Sequence, residues 1–96
     1  MNAAAGIITN NMETYVHRNS GVCSRSVTIT YEGNIVKDVK FDGGCHGNTQ
    51  GVAILCKDRP IDELIHLLRG IDCHNRGTSC PDQLAIALEE IKAKSN

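Results

Sequence analysis

The chain has 96 residues, which fit one small domain and leave no room for a second hydrophobic core. Ten lysine and arginine residues nearly balance eleven aspartate and glutamate residues, which argues against a basic nucleic-acid-binding surface or a polybasic membrane surface. No apolar run is long enough to span a bilayer. Two tyrosines and one phenylalanine are the only aromatic residues, so a metal or a partner chain is expected to add stability.

The first eleven residues are small and polar, and no periodicity runs through them. We predict a disordered extension over residues 1–11 and one folded domain over residues 12–94. The N-terminus lacks the basic start and the apolar stretch of an export signal, so a reducing, cytoplasmic location is expected. The five cysteines of such a chain indicate metal or redox chemistry more often than disulfides.

Two β-strands are predicted first. Tyr15 and Val16 indicate a short strand that ends near residue 19. A clearer strand follows, because three apolar residues alternate with serine and threonine at a period of two. These apolar residues are Val27, Ile29 and Tyr31.

A three-residue loop at residues 32–34 is predicted to turn the chain into a returning third strand, because its central glycine can adopt a positive φ. Pairing the residues on either side of this loop places Val27 opposite Val39. The same register places Cys23 opposite Gly43, two positions before Cys45. We therefore expect the thiols of Cys23 and Cys45 to meet at one end of the hairpin.

Three helices are predicted after the hairpin. The first has an apolar face formed by Val52, Leu55 and Cys56. The second begins at Pro60, is capped by Gly70 and has an apolar stripe of Ile61, Leu64, Ile65 and Leu68. The third begins at Ser79 or Cys80, and its inward-facing residues are Leu84, Leu88 and Ile91. This order of elements predicts an α+β fold, with a three-stranded antiparallel sheet and about three helices packed on one face.

Four cysteines lie in predicted loops or at the ends of elements: Cys23, Cys45, Cys73 and Cys80. Thiolates ligate zinc and iron and attack disulfides, and a helix N-terminus favours the thiolate form. The spacings of these cysteines match no C-x-x-C knuckle, so spacing alone is weak support for a shared metal or redox site. The alternative to such a site is that the four cysteines pack as small hydrophobic side chains. Cys56 lies in mid-helix beside Leu55 and is interpreted as a core residue.

Two histidines are alternative ligands, because His46 and His74 each directly follow a candidate cysteine. The competing interpretation is that both are exposed loop residues. His17 and His66 have no polar company in the predicted elements and are interpreted as structural or solvated.

Four more residues are candidates for a supporting role around the thiols. Arg25 lies two positions after Cys23, Arg76 lies between Cys73 and Cys80, and either charge would lower a nearby thiol pKa. The favoured alternative for Arg76 is that it is solvated at the surface. Ser79 and Asp82 border Cys80, and Asp82 is expected to cap its helix rather than to react.

Strings of residues around the four cysteines resemble the TSCPD domain family over residues 12–94. They are Cys23-Ser24-Arg25-Ser26, Gly43-Gly44-Cys45-x-Gly47-Asn48, Gly70-Ile71-x-Cys73 and Thr78-Ser79-Cys80-Pro81-Asp82-Gln83-Leu84-Ala85. Related domains close the C-termini of adenosylcobalamin-dependent ribonucleotide reductases. The resemblance implies a role in deoxyribonucleotide metabolism and a four-cysteine site at Cys23, Cys45, Cys73 and Cys80. It does not imply catalysis by this chain alone, since 96 residues cannot build a reductase barrel.

A more distant resemblance is to iron–sulfur scaffold proteins of the IscU/NifU type, and it implies an IscU/SufE-like fold. Their three cluster ligands would fall on Cys23, Cys45 and Cys80. This chain has Arg25 where those proteins have an aspartate that assists cluster release, and Ser79 where they often have a histidine. Cys73 would add a fourth thiolate and close the site, as suits a tightly held metal.

Four functional hypotheses follow. The leading one is a cytoplasmic metal-thiolate module that holds Zn²⁺ or an Fe–S cluster and is accessory to a ribonucleotide reductase or another redox enzyme. By resemblance such a chain would be classed with ribonucleoside-diphosphate reductase. The second is a thiol–disulfide relay in which Cys73 and Cys80 pass electrons to a reductase. The third is an iron–sulfur scaffold, and the fourth is a helper domain that binds a partner through a helix face. The sequence indicates no nucleic-acid or membrane partner and specifies no oligomeric state.

Overall fold

The structure is a computed structural model that describes residues 12–95. The predicted α+β class, with three antiparallel strands and three helices, is confirmed. The predicted N-terminal extension lies outside the described residues. The elements in chain order are β1 (Glu13–Arg18), β2 (Ser24–Glu32), β3 (Ile35–Gly43), α1 (His46–Cys56), α2 (Ile61–Leu68) and α3 (Cys80–Ser95).

The sheet has the strand order β1-β2-β3, and its inner face packs against the helices. Helix α3 crosses the centre, where it contacts β1, β2, α1 and α2, while α1 packs on β3. The three residues predicted to face inward from α3 are all buried: Leu84, Leu88 and Ile91. They meet the inner residues of β2, so one continuous core joins the sheet to the last helix.

The hairpin between β2 and β3 is tighter than predicted. Glu32 pairs with Ile35, so the turn has two residues instead of three, and Val27 lies opposite Phe41 instead of Val39. The predicted register was wrong for two reasons. Gly33 adopts φ +58 at the first position of a two-residue turn, which suits the twist of adjacent strands and moves the pairing by one position. A register shift between Thr30 and Tyr31 moves the pairing by one more.

Helix α1 begins one residue after Cys45 and turns Thr49 and Cys56 into the core, with Val52 partly buried between them. These residues lie at i, i+3 and i+7, which is one face of a helix. Leu55 was predicted on that face but is 70% exposed, because it lies one position off the inward stripe. Cys56 is buried, as predicted.

Helix α2 begins at Ile61, and Pro60 is its N-cap, one position later than the predicted start. Ile61 and Leu64 are buried and the rest of the predicted stripe packs partly against the core. Gly70 follows the C-cap at φ +92, which confirms it as the helix-ending glycine. Within residues 12–95, no helix is both long and apolar enough to cross a membrane.

Candidate functional site

Two of the four candidate cysteines bring their sulfur atoms together. Cys23 Sγ lies 4.0 Å from Cys80 Sγ, although the residues are 57 positions apart in the chain. Cys23 is exposed just before β2, whereas Cys80 is buried as the first residue of α3. This contact is the centre of the candidate site.

Cys45 joins the pair through its backbone. Cys45 is the N-cap of α1, which agrees with its predicted place just before a helix. A hydrogen bond joins the backbone of Cys45 to the Cys23 sulfur. This hydrogen bond is the largest cause of the lowered pKa of Cys23; the contact with Cys80 is the next, and the charge of Arg76 adds to both. The contact is made by the Cys45 backbone, and the meeting of the Cys23 and Cys45 thiols stays a prediction. The pairing behind that prediction was wrong by one position, because Ser24 rather than Cys23 lies opposite Gly43.

A register shift between Ser24 and Ser26 decides which side chains face this site. Strict alternation from Val27 would turn Arg25 and Cys23 inward. The shift in pairing with β3, typical of a β-bulge, instead leaves Ser24 buried and Arg25 exposed. Arg25 pairs with Asp42 at 3.2 Å and is not among the causes of the lowered Cys23 pKa, contrary to its predicted role. The cation that lowers this pKa is Arg76, which is exposed, as predicted.

The loop of Cys73 is tied to the start of α3. The Cys73 N–H donates to the Thr78 carbonyl at 3.1 Å, and the Asp72 carboxylate accepts two backbone N–H groups of the same loop. Since Thr78 lies two positions before Cys80, the backbone of Cys73 is held beside the segment that carries Cys80. The Cys73 side chain is half-buried.

Ser24 is a site residue that the sequence analysis missed. Its Oγ lies 3.0 Å from Cys80 Sγ and 2.7 Å from the amide nitrogen of Asn19, which donates to it. With its oxygen accepting from Asn19, the Ser24 hydroxyl proton is available to Cys80 Sγ. The string Cys23-Ser24 contained this residue, but its inward direction depends on the register shift.

Ser79 and Asp82 have structural roles at the start of α3. Ser79 is the N-cap, because its Oγ accepts the Asp82 N–H at 3.1 Å. The buried Asp82 carboxylate accepts from Thr78 Oγ1 at 2.6 Å, from the Gly70 N–H at 2.6 Å and from Arg69 at 2.9 Å. Burial alone would raise the pKa of Asp82, but these three hydrogen bonds outweigh burial and lower it. The carboxylate is thus already engaged within the protein.

His17 has polar partners, contrary to its interpretation from the sequence. Its Nδ1 lies 2.9 Å from Glu90 Oε1 and its Nε2 lies 3.0 Å from Gln83 Oε1. Tyr15 donates to the same Glu90 oxygen at 2.8 Å. This network joins β1 to α3 at Gln83 and Glu90, which lie three and ten positions beyond Cys80. The sequence analysis missed it because the residues of β1 and α3 are remote from each other in the chain.

His46 and Cys56 lie at the two ends of α1, and His74 lies in the Cys73 loop. His46 is exposed as the first residue of α1, where it borders an open groove of about 360 Å³ with Phe41 and Thr49. His74 is exposed in the Cys73 loop at φ +52. The thiol of Cys56 is buried in the core, and burial raises its pKa to about 11.

The donor set fits a thiophilic metal in part. Two sulfurs bonded to one tetrahedral zinc ion lie about 3.8 Å apart, since each Zn–S bond is about 2.3 Å. The Cys23–Cys80 separation of 4.0 Å is close to this value. Within residues 12–95, however, no three histidine, cysteine or carboxylate side chains are grouped closely enough to hold a metal ion. The arrangement therefore provides a dithiol, with the backbones of two more cysteine-bearing segments nearby.

Comparison with known families gives one match. A sequence model of the TSCPD domain matches residues 8–92 of the chain. No curated protein and no solved structure matches the chain significantly.

Proposed function

The chain belongs to the TSCPD domain family, and from this premise we propose that it is a metal-thiolate module that holds Zn²⁺ or an Fe–S cluster. The proposed ligands are Cys23, Cys45, Cys73 and Cys80. A metal held by four thiolates would supply a cross-link between remote segments of a small domain and no reaction of its own.

The separation of 4.0 Å between the Cys23 and Cys80 sulfurs carries this proposal. It is near the spacing of two thiolate ligands on one zinc ion. The N–H of Cys45 and the charge of Arg76 act on Cys23, and both favour the deprotonated sulfur that a metal requires.

Cys45 and Cys73 are proposed to complete the donor set. The backbone of Cys45 is hydrogen-bonded to the Cys23 sulfur, and the backbone of Cys73 is hydrogen-bonded to Thr78, two positions before Cys80. The side chain of Cys45 is exposed and that of Cys73 is half-buried, so neither is confined to the core. Sulfur ligands select zinc or iron–sulfur clusters over hard cations.

The test is the metal content of the chain purified without oxygen. We expect about one zinc per chain, or iron together with sulfide, and four thiols that resist alkylation until a chelator is added. Iron with sulfide would identify the metal as a cluster. A folded, fully reduced chain that binds neither zinc nor iron on reconstitution contradicts the proposal.

Three variants sharpen this test. Cys80→Ser should lose the metal, because it removes a proposed ligand, whereas Cys56→Ala should keep it, because Cys56 lies in the core. Retention of stoichiometric metal by the double variant Cys23→Ser/Cys80→Ser would show that the metal is held elsewhere. Circular dichroism of each variant separates loss of metal from loss of fold.

We further propose an accessory role in the cytoplasm, beside a ribonucleotide reductase or another redox enzyme. The support is the family, whose related domains close the C-termini of adenosylcobalamin-dependent ribonucleotide reductases. Adding the metal-loaded chain to a purified reductase from the same cells should raise its turnover, and the Cys80→Ser variant should not. Equal turnover with and without the chain argues against this partner.

A further inference from the structure

The two sulfurs at the centre of the site are also placed to react with each other. A disulfide needs the sulfur atoms about 2.05 Å apart, so Cys23 and Cys80 must approach by about 2 Å from their present 4.0 Å. Cys23 is exposed, and its side chain can move without displacing the core. Cys80 is 6% exposed and fixed at the first position of α3.

The surroundings give the two thiols different roles. Cys23 is exposed and is therefore accessible to a dissolved oxidant. Cys80 is shielded from solvent and is held through Ser24 Oγ at 3.0 Å. This asymmetry favours oxidation of Cys23 first, followed by attack of the Cys80 sulfur on Cys23.

We propose that Cys23 and Cys80 form a reversible disulfide when the protein meets a peroxide, and that this disulfide releases the metal by removing two of its ligands. Release of the metal rests on the proposed function, whereas the disulfide does not. The sequence hypothesis paired Cys73 with Cys80; the sulfur–sulfur contact in the structure pairs Cys23 with Cys80.

The chemistry balances with hydrogen peroxide as the only oxidant. The Cys23 thiolate attacks one peroxide oxygen, the O–O bond breaks and hydroxide leaves, so that Cys23 becomes a sulfenic acid. The Cys80 thiol then attacks that sulfur; the S–S bond forms, the S–O bond breaks, and the oxygen leaves as water with the proton from Cys80. In total one peroxide is reduced to two waters as two thiols become one disulfide. A dithiol reductant reverses the bond by thiol–disulfide exchange.

The first experiment needs no variant. The reduced, metal-free wild-type chain is treated with one equivalent of hydrogen peroxide, the remaining thiols are blocked with N-ethylmaleimide, and the disulfides are mapped by peptide mass spectrometry. We expect a Cys23–Cys80 disulfide as the main product. A main product that contains Cys73 or Cys45, or no disulfide at all, overturns the proposal.

Variants then test the order of attack. In Cys80→Ser, Cys23 should remain a sulfenic acid that dimedone traps, whereas in Cys23→Ser little sulfenic acid should form at Cys80. Cys56→Ala is the matched control and should give the same disulfide as the wild type, because Cys56 is buried elsewhere in the core. Dimedone trapping at Cys80 in Cys23→Ser that equals or exceeds trapping at Cys23 in Cys80→Ser contradicts the assigned roles.

A chromogenic chelator measures the metal-release step. In the zinc-loaded chain we expect about one zinc released for each disulfide formed, and rebinding after addition of a dithiol. A disulfide that forms while zinc stays bound disproves release. A chain that forms the disulfide yet never binds metal disproves the proposed function and leaves the redox pair standing.

Discussion

The Gln83 side-chain oxygen lies 3.0 Å from His17 Nε2, and the direction of this hydrogen bond is fixed by groups farther along the network. The Asp82 carboxylate can only accept, so Thr78 donates to it and accepts from the Gln83 amide nitrogen. The amide oxygen of Gln83 therefore faces His17, where it also accepts the Ser20 N–H at 3.2 Å. His17 Nε2 must then carry a proton.

The second ring nitrogen of His17 also faces an oxygen that accepts hydrogen bonds. Its Nδ1 faces the Glu90 carboxylate at 2.9 Å, which also only accepts. Each ring nitrogen of His17 therefore faces an oxygen of α3, and the ring joins β1 to that helix at two positions.

Replacing His17 should weaken the attachment of β1 to α3. In His17→Gln the side chain can no longer form hydrogen bonds to Glu90 and Gln83 at the same time. We therefore expect a loss of about 2 kcal/mol in the free energy of unfolding by urea. The exposed His66 supplies the control, since His66→Gln should change it by less than about 0.5 kcal/mol. Equal losses from both substitutions would mean that the network adds no stability.

The Asp82 carboxylate should be among the most sensitive polar groups of the fold. Asp82→Asn leaves Arg69, Thr78 and the Gly70 N–H with a poorer acceptor, and we expect a loss of about 2–4 kcal/mol. Asp58→Asn, which removes an exposed ion pair with Lys37, should cost less than about 1 kcal/mol. Urea unfolding of both variants at neutral pH gives the comparison.

The lowered pKa of Asp82 also predicts a dependence of stability on pH. Because the folded-state pKa lies below the unfolded value of about 3.9, the carboxylate stabilises the fold at pH values above that value. This contribution is lost as the pH falls through the folded-state pKa. The difference in stability between wild type and Asp82→Asn should therefore shrink below about pH 4. A difference that stays constant down to pH 2 would contradict the assignment.

The five thiols should react in a definite order. In the reduced, metal-free chain at about pH 8, iodoacetamide should modify Cys23 first, because it is exposed and its pKa is lowered. Cys56 should react last, since burial raises its pKa to about 11. Mass spectrometry of timed samples gives the order. Early modification of Cys56 in the folded chain would contradict its place in the core.

A glycine beside the site offers a test of its backbone geometry. Gly44 has φ +86, and a Cβ there would lie 3.1 Å from the Ser24 Cβ. We expect Gly44→Ala to cost about 1–3 kcal/mol in urea unfolding and to increase alkylation of the buried Cys80, since Ser24 must move. Gly47→Ala is the matched control. Gly47 has ordinary φ and open space around it, so its replacement in α1 should be neutral or slightly stabilising.

Local patterns predicted the order of elements, because periodicity and turn residues act over a few positions. They did not predict the register shift at Ser24, because this shift depends on how β2 pairs with β3. As a result of the shift, Ser24 rather than Arg25 lies on the inner face of the sheet. Nor did they predict the His17 network, whose partners lie 66 and 73 positions away. The meeting of Cys23 with Cys80 is equally remote, and only the resemblance to a family suggested it.

The contact between Cys23 and Cys80 closes a loop of 57 positions, which is most of the folded chain. A covalent bridge across a loop of this length restricts the unfolded chain enough to stabilise the fold by about 4 kcal/mol. For a domain of this size that corresponds to a rise in melting temperature of order 20 °C. The heat resistance of the whole domain would then report the chemical state of two sulfur atoms.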